Sequence, residues 1–111
     1  MRRKNPVAYG RVTGFANKVL GVIRTIPCGR VATYADLARA VGRPRASRAA
    51  GNACNANPAA PVVPCHRVVR SDGTVGGYAK GTKKKIVLLT GEGITIVRGK
   101  IDLKKFGVRW R

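Results

Sequence analysis

The chain is poor in acid. Its 111 residues carry four carboxylates, Asp36, Asp72, Asp102 and Glu92, against 23 Lys and Arg, a formal net charge of +19. It has one histidine, His66. Its three cysteines, Cys28, Cys54 and Cys65, are odd in number and form no Cys-x-x-Cys pair. That spacing argues against a disulfide framework and against a standard zinc site. A single Cys28–Cys54 bridge stays open, and at least one thiol is left free. No apolar run approaches the roughly 20 residues of a membrane span. The basic start Met1-Arg2-Arg3-Lys4 is followed by no apolar segment, so no signal peptide is read. There is no internal repeat and no low-complexity linker. The length suits one domain with one modest core. Residues 1–11 read as a basic arm and 12–111 as the domain, in a protein expected in the cytoplasm.

The apolar fraction is 44%, that of a folded globule rather than a disordered basic tail. A small domain needs a net charge of only about 2–8 to stay in solution. An excess of +19 is therefore a statement about partners. Nucleic acid is the commonest polyanion, and ribosomal packing or an anionic membrane surface fits the charge equally well.

Apolar residues recur at three- and four-residue steps from Val12 to Ile26, which predicts an amphipathic helix closed by Pro27 and Gly29. Arg30–Ala32 reads as extended. Thr33 and Asp36 have the spacing of a helix cap, opening a helix over Tyr34–Val41 that Gly42 ends. A second helix is expected over Ala46–Ala56, and the two read as a helix-turn-helix. Small side chains on the second helix suit close approach to a DNA groove, and they suit helix–helix packing equally well. Cys65–Val69 reads as a short strand and Ser71–Thr74 as a hairpin turn. Thr82 is expected to cap a helix to about Thr90, with Lys83–Lys85 in its first turn. A last hairpin pairs Ile94–Val97 with Ile101–Leu103. The fold class is mainly α with short β-strands, winged-helix-like.

The chemistry concentrates at Cys65-His66. A thiol becomes a strong nucleophile at neutral pH when a base or cation draws off its proton. Neighbours on a strand point to opposite faces, so a bent backbone after Pro64 or a bridging water would be needed to link the two side chains. Glu92 could orient His66 as a carboxylate orients a triad base. Read alone, a buried cysteine is most often a small hydrophobe.

The motif Pro64-Cys65-His66-Arg67-Val68 resembles the active-site signature of the O6-alkylguanine-DNA alkyltransferases. The stretch Ile26–Tyr34, the segment Ala46–Gly51, and then Asn57-Pro58, Gly76-Gly77-Tyr78, Leu88-Leu89 and Glu92-Gly93 match the same family in order. The resemblance spans about residues 12–95. It implies irreversible repair, in which Cys65 takes the alkyl group from O6 of a flipped guanine and is spent. In the roles it implies, His66 acts through water as base, Glu92 orients it, Tyr34 serves guanine N3, and Asn57 holds the turn. Arg48 would enter the duplex. Thr33, Tyr34, Ala46, Ser47, Ala49, Gly51, Asn52 and Arg67 would contact DNA from the minor-groove side. Val68, Tyr78 and Ala79 would line the base pocket. No metal or organic cofactor is implied, the partner is double-stranded DNA carrying O6-alkylguanine, and a monomer in solution is expected.

The family usually carries a further N-terminal domain, and the match begins near residue 12. The chain is thus expected to be either naturally minimal or cut from a longer protein. The end, Gly93–Leu103 with Trp110, resembles the alkyltransferase-like proteins, which bind alkylated guanine without an acceptor cysteine and recruit other repair. A lesion-binding module is therefore the alternative, and a plain helix-turn-helix nucleic-acid binder the third reading. The basic clusters Arg2–Lys4, Lys83–Lys85 and Lys104–Arg111 are expected to add non-specific grip. Cys28 and Cys54 are expected to be structural, with oxidation of Cys54 impairing DNA binding.

Overall fold

The structure is a computed structural model that describes residues 14–57 and 62–110. The basic arm, the helix start at Val12, Pro58, Pro61 and Arg111 lie outside the described residues. Helix α1 spans Gly14–Ile23 and buries Val19, Leu20 and Ile23. It stops short of the expected Ile26. The amides of Thr25 and Ile26 bond to Val22 and Ile23 in a tightened last turn. The cause is Pro27, whose ring disfavours helical backbone at the residue before it.

The cap at Thr33 forms as its spacing predicts. Thr33 Oγ1 accepts the Asp36 amide at 3.0 Å, and Asp36 Oδ2 accepts the Thr33 amide at 2.9 Å. This box opens α2, Tyr34–Ala40, and Val41 leads into Gly42 at φ +78°. Helix α3 runs Ser47–Asn55, so α2 and α3 make the expected helix-turn-helix. Both pack on α1.

A two-residue parallel ladder separates two cores. Strand β1, Ala32–Thr33, pairs with β2, Val68–Val69, in the register Ala32↔Val68 and Thr33↔Val69. Side chains alternate across a strand. Ala32 and Val68 therefore join the α1–α2–α3 core, while Val31 and Val69 join a second core with Val75, Leu89, Ile94 and Ile101.

Four expectations are corrected beyond β2. Residues 65–67 form a 3-10 turn rather than strand, because Pro64 at φ −83° and ψ 65° bends the chain into it. The Ser71–Thr74 turn forms, with Asp72 Oδ1 accepting the Thr74 amide at 3.0 Å, but no hairpin follows. Instead Thr74 bridges to Lys100, and Gly73 at φ +88° lies so close to Ile101 that a Cβ there would stand 2.7 Å from its carbonyl oxygen. Helix α4, Thr82–Gly91, starts from Gly81 at φ +100° with no side-chain cap, so Thr82 is its first residue and not its cap. The final hairpin is present as β3, Ile96–Val97, and β4, Lys100–Ile101, joined by Arg98 and Gly99 at φ +53° and +76°. That two-residue turn needs positive φ at both positions. Leu103, expected in the hairpin, instead opens α5, Leu103–Phe106, under an Asp102 cap.

The C-terminal segment folds back onto the domain. The Val31 amide donates to Phe106 and the Val108 amide donates to Val31, at 2.9 and 2.8 Å. Val108 and Trp110 pack on the first core, and Arg30 Nη1 donates to the Lys105 carbonyl at 2.7 Å. Among the described residues no helix is long and apolar enough to cross a membrane.

Candidate active site and nucleic-acid interface

The 3-10 turn leads into β2, is tied by Asn57 to the end of α3, and carries Cys65 and His66 inside the protein. They are 3% and 2% exposed. Because the turn replaces a strand, the two side chains are not forced to opposite faces of a sheet. They serve two different networks nonetheless.

His66 belongs to a charge relay with Glu92 and Arg67. His66 Nε2 and Glu92 Oε2 are 2.9 Å apart. Arg67 grips the same carboxylate in fork fashion, Nε to Oε1 at 2.9 Å and Nη2 to Oε2 at 2.8 Å, while Nη1 donates to the Ile26 carbonyl at 2.8 Å. Burial pushes the Glu92 carboxyl up, but the hydrogen bonds and charges of Arg67 and His66 outweigh it and hold it below the usual carboxylate range. The chain's only glutamate is thus fixed as an anion against its only histidine. His66 Nδ1 is buried and has no hydrogen-bond partner among the described residues. Arg67 was expected at the DNA. Its guanidinium is instead turned inward to Glu92 and Ile26, which explains why an arginine follows the histidine.

Cys65 sits in a pocket of donors. Asn57 Nδ2 lies 3.1 Å from Cys65 Sγ and 2.8 Å from the Val63 carbonyl, tying the turn to the end of α3. Cys54, in the last turn of α3, is buried in the same core as Cys65, and its carbonyl accepts the Asn57 amide at 3.2 Å. The Cys54 and Asn57 hydrogen bonds and the positive charge of Lys85 lower the Cys65 pKa, overcoming the opposing effect of burial. All three cysteines are free thiols, and Cys28 is exposed, so the open Cys28–Cys54 bridge is not formed.

Lys85 overturns its expected place in a surface lysine run. Lys83 and Lys84 are exposed, but Lys85 is 0% exposed. Its ammonium donates to the Val68 carbonyl at 2.6 Å and to the Gly77 carbonyl at 3.0 Å. It ties the strand after Cys65 to the Gly76-Gly77-Tyr78 segment. Burial brings its pKa down to about 8, against the partly restoring charges of Cys54 and Cys65. One signal was present in the sequence: Lys85 precedes the core residue Leu89 by one helical turn and so shares its face.

The aromatic expectations converge on the same place. Tyr34 heads α2 and its ring packs 3.7 Å from where a Gly51 Cβ would stand. Burial, then the charges of Cys54 and Cys65, raise its phenol to about 12, so it stays protonated. Tyr78 meets the His66 ring edge-on with centroids 6.4 Å apart, and its hydroxyl is buried with no partner among the described residues. Val68 is buried and its carbonyl is held by Lys85, whereas Ala79 is exposed.

Helix α3 divides by face. Ala50, Ala53 and Cys54 are buried, while Arg48, Ala49 and Asn52 are exposed and Ala46, Ser47 and Gly51 are half-buried. Thr33 is buried at the α2 cap. The outer face is therefore small-sided with one long cation, Arg48, at its N-terminal end.

A helix-turn-helix whose second helix backs directly onto a buried, activated thiol defines a DNA-binding-type domain with an internal nucleophile. The description "6-O-methylguanine DNA methyltransferase, DNA binding domain" matches residues 14–94, and the chain belongs to that family. It is 50% identical over 82 residues to the bifunctional transcriptional activator/DNA repair enzyme Ada of Escherichia coli K12, covering 74% of this chain and 23% of Ada. It is 48% identical over 92 residues to the methylated-DNA–protein-cysteine methyltransferase of Shigella flexneri, covering 83% of this chain and 53% of the relative. The chain thus spans about half or less of the length of these curated relatives. Among solved structures it resembles S. pombe Atl1 in complex with damaged DNA containing O6-carboxymethylguanine, with TM-score 0.80 and 30% identity over 90% of this chain and 99% of Atl1. It also resembles Mycobacterium tuberculosis OGT in complex with DNA, with TM-score 0.70 and 42% identity over 74% of this chain and 51% of OGT.

Proposed function

We propose that this chain is a single-turnover DNA repair protein in which Cys65 takes the alkyl group from O6 of guanine in double-stranded DNA. The observation that carries the reading is the acceptor's surroundings. Cys65 is buried, takes a hydrogen bond from Asn57 and is lowered in pKa, in a family that includes the methylated-DNA–protein-cysteine methyltransferase of Shigella flexneri.

The O6 atom of a stacked guanine is out of reach of in-line attack, so the base must leave the helix at a cost of a few kcal/mol. The small-sided face of α3 lies in the minor groove, and Arg48 fills the space the base leaves. The Lys and Arg excess grips phosphates without reading sequence. The Cys65 thiolate then attacks the alkyl carbon. The S–C bond forms as the C–O6 bond breaks, and the electron pair leaves on guanine. The proton lost from Sγ passes through water to His66, whose cationic form Glu92 stabilises. Tyr34 donates to guanine N3 as charge develops there, which a phenol held protonated up to about 12 can do at neutral pH. Tyr78 and Ala79 flank the flipped base. The protein works with DNA, in the cytoplasm or nucleoid.

The reading is tested by intact mass after incubation with a duplex carrying O6-methylguanine. The expected result is one added methyl per protein molecule, on the peptide containing Cys65. No added mass despite lesion binding would overturn it.

A second reading has its own observation. The chain matches Atl1 over nearly that protein's full length, which favours a module that binds alkylated guanine without transfer. The presence of Cys65 with its donors favours transfer. Arg48→Ala separates both from a plain DNA binder. On either lesion reading, Arg48→Ala weakens preference for the alkylated duplex by about tenfold or more, a desolvated contact of over 1.4 kcal/mol. Plain-duplex affinity, measured by anisotropy, falls only by the share of one phosphate charge.

A further inference from the structure

One buried thiol makes and breaks no bond in the reaction proposed above. Cys54 is 6% exposed and lies in the same core as Cys65. One residue joins them: the Asn57 amide donates to the Cys54 carbonyl at 3.2 Å while its side chain reaches Cys65 Sγ at 3.1 Å. A cysteine used only as a small hydrophobe could be alanine or valine there. Nor is it duplicated elsewhere: Cys28 is exposed. The two sulfurs belong to the end of α3 and the start of the 3-10 turn, elements already tied by Asn57.

We infer that Cys54 and Cys65 form a reversible redox pair, with Cys54 the resolving thiol that traps oxidised Cys65 as a disulfide. The oxidant is a hydroperoxide. The Cys65 thiolate attacks its terminal oxygen, the O–O bond breaks, and the sulfur loses two electrons to become a sulfenic acid while the peroxide leaves as alcohol or water. Cys54 sulfur then displaces that oxygen. The S–S bond forms, the S–O bond breaks, and the Cys54 proton leaves with the hydroxide as water. A dithiol reverses the product. The hydrogen bond to Cys65, then burial, raise the Cys54 pKa, so the proton stays on Cys54 and the charge on the thiol that meets the oxidant first. The consequence matters for an acceptor that works once, and only that consequence rests on the proposed function. A sulfinic acid on Cys65 is lost permanently, whereas the disulfide is recoverable.

The test treats the reduced full chain with hydrogen peroxide and reads intact mass without reductant, then maps peptides. The expected result is loss of two hydrogens and a cross-linked Cys54–Cys65 peptide, which dithiothreitol restores to the dithiol. Cys54→Ala, checked for folding by circular dichroism, is expected to gain two oxygens on Cys65 that dithiothreitol does not remove. Methyl acceptance is expected to be lost on oxidation of either protein and regained on reduction only in the wild type. A cross-link to Cys28, or sulfinic acid on wild-type Cys65 with no cross-link, overturns the pair. The mass readout requires no alkyl transfer, so it stands or falls separately from the repair reaction.

Discussion

Cys65→Ala is expected to reduce methyl uptake from one equivalent to none while leaving binding to O6-methylguanine duplex within a few-fold of wild type. The chemistry has no second acceptor placed for it. Cys54 is held protonated by its bond to Cys65 and by burial, and Cys28 is exposed beside Arg67. Binding draws on other atoms, namely the outer face of α3, Arg48 and the basic surface. The fold tolerates the change because Asn57 keeps the Val63 carbonyl, the Arg67–Glu92 fork is untouched, and deleting one sulfur from a core costs about 1–2 kcal/mol. Intact mass reads the transfer and anisotropy reads the binding. Residual uptake on another cysteine would show that Cys65 is not the acceptor. Loss of binding with native circular dichroism would show that the sulfur itself holds the lesion.

How much of this was legible without coordinates depends on how local each cause is. The Thr33–Asp36 box, the helix-turn-helix and the Arg98-Gly99 turn are set by residues within a few positions of one another, and each formed where its spacing indicates. Cys65–Arg67 looked like strand because Val68 and Val69 continue it. The bend imposed at Pro64 decided otherwise. The inward partners of Arg67 and Lys85 were out of sight for a different reason. A cation counts as solvated until a partner is found, and their partners, Glu92 and Ile26 for one, Val68 and Gly77 for the other, lie eight to 41 residues away. The pairing of the C-terminal segment with Val31 was out of reach for the same reason, since it crosses most of the chain. Periodicity sees faces of one element and is blind to which distant carbonyl a long side chain will meet.

The buried lysine carries the second large effect. Lys85→Met keeps the volume of the side chain and removes its charge and donors. Two carbonyls, of Val68 and Gly77, lose their partner, at about 1–3 kcal/mol each. Against this, the ammonium itself is costly to bury. Its fall from 10.5 to about 8 is worth about 3 kcal/mol. The terms nearly offset at pH 7, so the variant is expected to fold there within about 2 kcal/mol of wild type. The difference then depends on pH, with a definite sign. The unfolded chain holds the lysine proton up to its ordinary 10.5, while the folded chain gives it up near 8. Between these values folding releases a proton, so this lysine makes wild-type stability rise relative to Lys85→Met as pH rises. Urea melts at pH 7 and pH 10 check the sign, and wild-type stability that falls relative to Lys85→Met between them would contradict the buried charge. The larger effect falls on Cys65. The Lys85 charge helps to hold the Cys65 pKa down, after Cys54 and Asn57. Without it, alkylation of Cys65 by iodoacetamide and methyl transfer at pH 7 are both expected to slow, a loss that higher pH restores. A rate–pH profile that does not move would mean that Lys85 only braces the turn, and that Asn57 and Cys54 suffice to ionise the acceptor.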